Sequence, residues 1–320
     1  MNESPRAPQE FLVFHEIAHG PPSTTQADGV NRLARRCVPA FRSHPELIEE
    51  KLFPRYRGPD ERLMIAMRGA ELVAAASFDI HTTGERRIGG IRTILVDPTF
   101  RRRGVGRQLV EAVEKSVTSR GVDRIWLYCS VPNYLYPGAA AHDLSIAHFA
   151  DALGYARRVS THDMAVDLLR LGDLRPPEGV LLRALDHAVD PACDELRAFT
   201  RREVPGFVAE VESALRRANP IAHVAYDLGT IVGFCVAGSF NAPLGAVGPA
   251  AVSSSHRGGD VFRSLVHACM LSLRQRGHGF ARMQWADSRS LAFYKRWFDG
   301  FVCDQYVIPV KHVHEPGSAG

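Results

Sequence analysis

Arg101-Arg102-Arg103-Gly104-Val105-Gly106-Arg107 puts four guanidinium groups and two glycines into seven residues. Guanidinium groups match phosphate oxygens two at a time, and glycine leaves the backbone N–H open to a ligand. A helix that opens at Val105 would add unsatisfied N–H groups at the positive end of its dipole, so the segment is suited to hold a phosphate. The flanks supply that helix and a strand to lead into it. Residues 88–96 read as a buried strand ended by Pro98, and Val105, Leu109, Val110, Val113 and Val117 recur at helical spacing until Arg120-Gly121. Other phosphate loops fit less well: a Walker loop needs G-x-x-x-x-G-K-[ST], and a dinucleotide fingerprint needs a third glycine where Leu109 stands.

Strand, R-x-x-G-x-G and helix in that order resemble the acyl-CoA pyrophosphate loop of the GNAT acyltransferase superfamily. The periodicity of the surrounding residues predicts strand 11–18, helices 24–41 and 45–53, strands 63–67, 71–80 and 88–96, helix 105–119, strand 124–131, helix 143–153 and a last strand to Leu169. This is the element order of that superfamily, so the resemblance covers about residues 11–170. It implies an α/β fold with a twisted mixed sheet flanked by helices. It also implies acetyl-CoA, or another acyl-CoA, as co-substrate, bound by Arg101, Arg102, Arg103, Gly104, Val105, Gly106 and Arg107, with Asn133 joining that set. Backbone amides around Leu95 and Val96 would hold the acyl carbonyl.

The pattern then repeats. After a Pro-containing linker at 172–179, strand, helices, hairpin and strand lead to Ser253-Ser254-Ser255-His256-Arg257-Gly258-Gly259-Asp260-Val261. Val252 precedes Arg257 as Val96 precedes Arg101, and Gly121 and Gly277 each follow their arginine by twenty residues. Two tandem GNAT-like domains are therefore expected, at 11–171 and 180–314, with a disordered leader at 1–10 and a tail at 315–320. In the second loop Asp260 stands where the first has Gly104 and Phe262 where it has Gly106. A carboxylate and a phenyl ring oppose a pyrophosphate, so the second domain reads as a degenerate copy.

The resemblance also implies a tyrosine on the closing helix that protonates the departing thiolate. Phe293-Tyr294 matches it, whereas the first domain has Phe149-Ala150. Tyr134 and Tyr136, in the loop 131–138, are the first domain's candidates for that acid; the alternative is that their rings only pack the loop. Where many relatives have a glutamate base, eleven residues ahead of Arg101, stands Gly90, and the second domain has Ala246. Asp79, His81 and Glu85 lie near by sequence, as bases or as ordinary strand and turn residues; a water relay is a further route.

Competing motifs are weaker. His15-Glu16-Ile17-Ala18-His19 matches the zinc-peptidase pattern H-E-x-x-H, but that pattern needs a helix, and strand-favouring Phe11-Leu12-Val13-Phe14 precedes it while Gly20-Pro21-Pro22 follows. His312 and His314 are too sparse for a metal, and Ser253-Ser254-Ser255 lacks the G-x-S-x-G elbow. No metal is expected. The net charge of +4, carried almost wholly by arginine, suits a small anion as well as nucleic acid, and no DNA-recognition helix accompanies it. Six scattered cysteines and the lack of an apolar run of membrane-spanning length point to a cytoplasmic protein, with a homodimer left open. The reading is an acyl-CoA-dependent N-acyltransferase acting on an amine of a small molecule. The alternatives are a non-catalytic acyl-CoA- or anion-binding regulator and, third, a zinc metallopeptidase.

Overall fold

The computed structural model describes residues 12–18, 22–53, 60–185 and 190–313, apart from the side chains of 157 and 158. The predicted leader and tail, His19 and His314 lie outside the described residues. The chain divides into two compact units, Met1–Val159 with Val307–Gly320, and Ser160–Tyr306.

In the first unit the order is β1 (Val13–Ile17), α1 (Thr24–Cys37), α2 (Pro39–Ser43), α3 (Glu46–Leu52), β2 (Arg62–Arg68), β3 (Glu71–Thr83), β4 (Arg86–Val96), α4 (Val105–Thr118), β5 (Arg124–Leu127), β6 (Ala139–Ala140), α5 (Leu144–Ala152) and the start of β7 (Ala156–Asp167). Strands β1 to β4 pair antiparallel in sequence order, and β5 joins β4 in parallel. Ser23 caps α1 through a capping box with Gln26. The single helix expected at 24–41 is two helices, because Val38 precedes Pro39 and takes an extended φ of −127°. The strand expected at 124–131 stops at Leu127, since Tyr128 is left-handed with φ 59°. Leu109, Val110, Val113 and Val117 of α4 are fully buried against the sheet.

The second unit contains residues 160–167 of β7, then β8 (Val180–Ala184), α6 (Ala192–Glu203), α7 (Val208–Leu215), β9 (Ile221–Asp227), β10 (Thr230–Ala237), β11 (Val247–Val252), α8 (Asp260–Gln275), β12 (Phe280–Ala286), α9 (Ser288–Phe298) and the first half of β13 (Phe301–His312). Strands β8 to β11 form an antiparallel sheet, and β12 pairs antiparallel with β7. One core packs under α8 and α9, and another is built around Leu196, Phe199 and Phe234 beneath α6 and α7. The units are not consecutive halves of the sequence. Residues 307–312 of β13 belong to the first unit, where Val310 pairs with Trp126 and gives β5 an antiparallel neighbour in place of an open edge.

Candidate active site

The first unit's basic loop begins where β4 ends. Asp97 accepts from the backbone and hydroxyl of Thr99 and pairs with Arg36 at 2.7 Å, which holds its carboxyl below the usual range despite the opposing effect of its burial. A 3-10 turn, Pro98–Phe100, follows, and Arg102 and Gly104 then both turn left-handed, at φ 62° and 81°. Gly104 is the N-cap of α4 and makes no side-chain capping bond; a Cβ there would meet only the Gln108 amide at 3.8 Å. The helix therefore opens without a side-chain cap, and there is room beside Gly104. Gly106 differs: a Cβ there would lie 3.4 Å from the Phe149 ring and 3.5 Å from Val96. Among the arginines, Arg101 donates to the Val96 carbonyl and Arg107 to that of Ala152, while Arg103 lies over the Phe100 ring. Arg102 is exposed.

Upstream of this loop, β4 and β5 separate. Their parallel pairing runs from Ile88–Arg124 to Ile91–Leu127, and the Cys129 N–H still reaches the Ile91 carbonyl. Beyond Ile91, β4 pairs only with β3. The Asp97 N–H donates to Val73 of β3, so strand alternation turns the N–H groups of Leu95 and Asp97 toward β3 and those of Ile94 and Val96 toward the gap. Of the two residues named from the sequence, Val96 presents its amide to the opening and Leu95 does not. The Ile94 N–H faces the same gap, which the register of β3 on β4 shows and the sequence pattern does not.

A buried polar cluster lies on the face of the sheet opposite α4. The Gly89 position faces Val117 of α4, so Gly90 faces the other way, where a Cβ would stand 2.7 Å from the Asp79 carboxylate. Arg92 donates to Glu61 (2.9 Å), to Ser130 (3.2 Å) and to the Lys51 carbonyl, and lies 3.8 Å from Asp79. His81 Nδ1 is 3.2 Å from Asp79 Oδ1, and its ring meets Trp126 edge-on. Three atoms of this cluster are buried without a hydrogen-bond partner: Glu61 Oε2, Arg92 Nε and His81 Nε2. Glu85 lies instead in the exposed turn between β3 and β4.

Asn133 is buried beneath the loop after β5. It accepts from Lys51 Nζ at 2.8 Å and donates to the Glu50 carbonyl, so its amide joins the loop to α3 rather than pointing outward. Lys51, fully buried, also holds Glu50 and the Tyr134 carbonyl. Tyr134 and Tyr136 are half-buried on that anchored loop.

In the second unit's loop Gly258 is left-handed, and Gly259 is the N-cap of α8 in an extended conformation. Asp260, the first helical residue, is 3.3 Å from Arg263, and the Phe262 ring packs edge-on against Phe293. Ser253 and Ser255 bond His256 Nδ1, and Asp227 holds Nε2, which clasps the loop to the end of β9. Tyr294 is buried beside Cys235 and Cys269, and burial raises its hydroxyl pKa well above the ordinary value.

His15 and Glu16 are consecutive residues of strand β1, and strand geometry sends them to opposite faces. Glu16 pairs with Arg62 and Arg120. Among the described residues no group of three or more His, Cys, Asp or Glu is placed to hold a metal ion, and no helix is long and apolar enough to cross a membrane.

A strand that opens away from its parallel neighbour and then feeds a basic loop and an uncapped helix defines an acyltransferase-like α/β unit, and the second unit repeats its element order. The chain belongs to the acetyltransferase (GNAT) family, whose model matches residues 27–135 and again residues 188–299. Similar solved structures include the GCN5-related glucosamine N-acetyltransferase region of a fungal multi-domain GH3 β-N-acetylglucosaminidase (TM-score 0.75, 18% identity, 95% of this chain and 38% of that one). A tandem GNAT protein from the clavulanic acid biosynthesis pathway aligns over 96% of this chain and 100% of its own (TM-score 0.70, 17% identity). A GCN5-related N-acetyltransferase from Sphaerobacter thermophilus aligns over 96% and 97% (TM-score 0.59, 18% identity). The chain thus spans well under half of the fungal protein and nearly all of the other two. No curated protein matches it in sequence. The two matched stretches make the chain a tandem member of that family.

Proposed function

We propose that the first unit takes acetyl-CoA and transfers its acetyl group to an amine of a small molecule. One observation carries this reading: the left-handed Gly104, with room beside it and no side-chain cap, opens α4 just after the strand that separates from β5. The pyrophosphate fits the N–H groups at Gly104, Val105 and Gly106 with Arg102 and Arg103 at the rim, and Arg101 and Arg107 secure the loop to Val96 and Ala152. The bound thioester supplies an electrophilic carbonyl. Ile94 and Val96 supply N–H groups toward the gap, where they stabilise negative charge on the carbonyl oxygen. Tyr136, with Tyr134 beside it, is the proposed donor of a proton to the thiolate.

The second unit is proposed to have lost this site, because Asp260 puts a carboxylate in the first turn of α8 behind the extended N-cap Gly259, where the first unit has the left-handed Gly104. An amine acceptor is consistent with the family, and glucosamine belongs among the amines to test because of the function named for the fungal relative. None of the six cysteines is in a disulfide, which favours a cytoplasmic setting. The test is thiol release from acetyl-CoA in the presence of glucosamine, ethanolamine, lysine and spermidine, with the acetylated product identified by mass spectrometry. Release that depends on one of these amines supports the reading. CoA binding without release to any of them favours a non-catalytic acyl-CoA-binding protein.

A further inference from the structure

Tyr128 is the first residue past the last parallel pair of β4 and β5, Ile91 with Leu127. Its backbone is left-handed, at φ 59°, a conformation that bulky side chains rarely adopt and that persists only where the surroundings impose it. Here the Cys129 N–H, bonded to the Ile91 carbonyl, fixes the turn from its far side. A regular strand would send Tyr128 to the face opposite Leu127. The turn brings its ring back to the face of α4, where Leu127 and Tyr128 pack on one core. Trp285, near the end of β12, is also left-handed, at φ 58°, so the turn recurs in both units and the side chain placed on it is the variable part.

The neighbours of the ring are walls of the proposed acyl-CoA site. Ile94, Val96 and Phe149 rest on the same core, and Phe149 also lies against the Gly106 position. The phosphate end of the site is at Gly104, beyond the C-terminal end of β4, so the thioester lies back along β4 near Ile94 and its acyl chain continues toward Ile91 and Leu127. Three strand residues, about 10 Å, separate Ile94 from Ile91, and Tyr128 stands at the closed end of that stretch. Burial, with the charge of Asp143 adding to it, raises the Tyr128 hydroxyl well above its ordinary pKa, so the side chain stays neutral. Asp143 itself is engaged by Ser145 and the Ile146 N–H. The Tyr128 hydroxyl has no hydrogen-bond partner among the described residues and is not sealed from solvent, as suits a ring at the edge of an open site.

We infer that Tyr128 sets the acyl-chain length: its ring closes the inner end of the gap between β4 and β5, so that an acetyl group fits and a medium-length chain is turned away. This rests on the proposed acyl-CoA site at Gly104. A stop for a flexible chain has to be stiff, and Tyr128 is a flat ring on a backbone tied to Ile91 through both of its neighbours, Leu127 and Cys129. The role is one of binding, with no bond made or broken at Tyr128.

The test is calorimetric titration of the full chain with CoA, acetyl-CoA and octanoyl-CoA, on wild type, Tyr128→Gly, Tyr128→Asn and Tyr128→Phe. Glycine and asparagine both accept the left-handed turn and remove the ring, so either can stand in if the other fails to fold. Phenylalanine keeps the ring and removes only the hydroxyl. Wild type should bind octanoyl-CoA at least about tenfold more weakly than acetyl-CoA, because forcing methylenes into filled space is costly. Tyr128→Gly and Tyr128→Asn should narrow that difference to within about twofold or reverse it, since the emptied space receives apolar groups. Tyr128→Phe should keep it. Equal affinity of wild type for the two thioesters would overturn the inference before any variant is made. So would an unchanged ratio in a ring-less variant that still binds CoA, and so would loss of the ratio in Tyr128→Phe, which would place the selection in the hydroxyl. If wild type binds none of the three ligands, the proposed acyl-CoA site itself fails, and chain selection falls with it.

Discussion

Asp163, on β7 in the second unit, gives a quantitative check on the burial of that unit's core. Its side chain is fully buried, and burial raises its carboxyl from the ordinary 3.8 to about 6. Hydrogen bonds from the Gln284 side chain and the Trp285 N–H, and the charge of Arg282, only partly offset that effect. Between about pH 4 and pH 6 the folded protein keeps a proton that the unfolded chain has lost, so this site makes stability fall as pH rises. The loss is complete above about pH 6 and amounts to about 3 kcal/mol. Asp163→Asn cannot ionise, and its single carbonyl oxygen can accept only one of the two hydrogen bonds, at a cost of about 1 kcal/mol. The variant should therefore be less stable than wild type near pH 4 and more stable by about 2 kcal/mol at pH 8, the two curves crossing in between. Urea unfolding of both proteins at pH 4, 5, 6 and 8, followed by tryptophan fluorescence, to which Trp126, Trp285 and Trp297 contribute, measures the difference, and titrations common to both proteins cancel. A difference that stays constant across that range would refute the raised carboxyl.

Other outcomes follow from the first unit. Lys51→Met should destabilise it by about 3–5 kcal/mol, because Glu50, Asn133 and the Tyr134 carbonyl all lose a buried cation; a change under 1 kcal/mol in urea unfolding would mean that they find other partners. Tyr136→Phe should keep CoA affinity and lower the chemical step in single-turnover assays by about 10²–10⁴-fold, with Tyr134→Phe as the comparison. Tyr294→Phe should leave turnover unchanged, since that hydroxyl lies in the second unit's core; a loss of activity in Tyr294→Phe alone would move the chemistry to the second unit.

Much of this fold was legible in the sequence because its signals are local. Apolar spacing from Val105 to Val117 and the glycine after it set α4, and the Leu228-Gly229 turn set the β9–β10 hairpin. Pro39 broke α1 earlier than apolar spacing alone suggests. The membership of β13 was not legible, because whether Val310 pairs with Trp126 depends on a partner almost two hundred residues away in the chain. The basic loop was found from residue types, but their separate jobs were not. Only coordinates show that Gly104 is needed for its left-handed turn, that Gly106 sits under Phe149, and that Arg107 is tied to Ala152. Asn133 carried no hint of Lys51, which lies 82 positions away. The link from Gly90 to Asp79 needed the register of β3 on β4, which no single-strand pattern encodes.

The central claim is that one loop, the first, holds the acyl-CoA. Calorimetric titration of the full chain with CoA tests it most directly, run on wild type, Gly104→Asp and Asp260→Gly. The account predicts one CoA per chain for wild type, no measurable binding for Gly104→Asp, and wild-type stoichiometry for Asp260→Gly, where Phe262 still packs on Phe293. Two equivalents bound by wild type, or full affinity retained by Gly104→Asp, would contradict it.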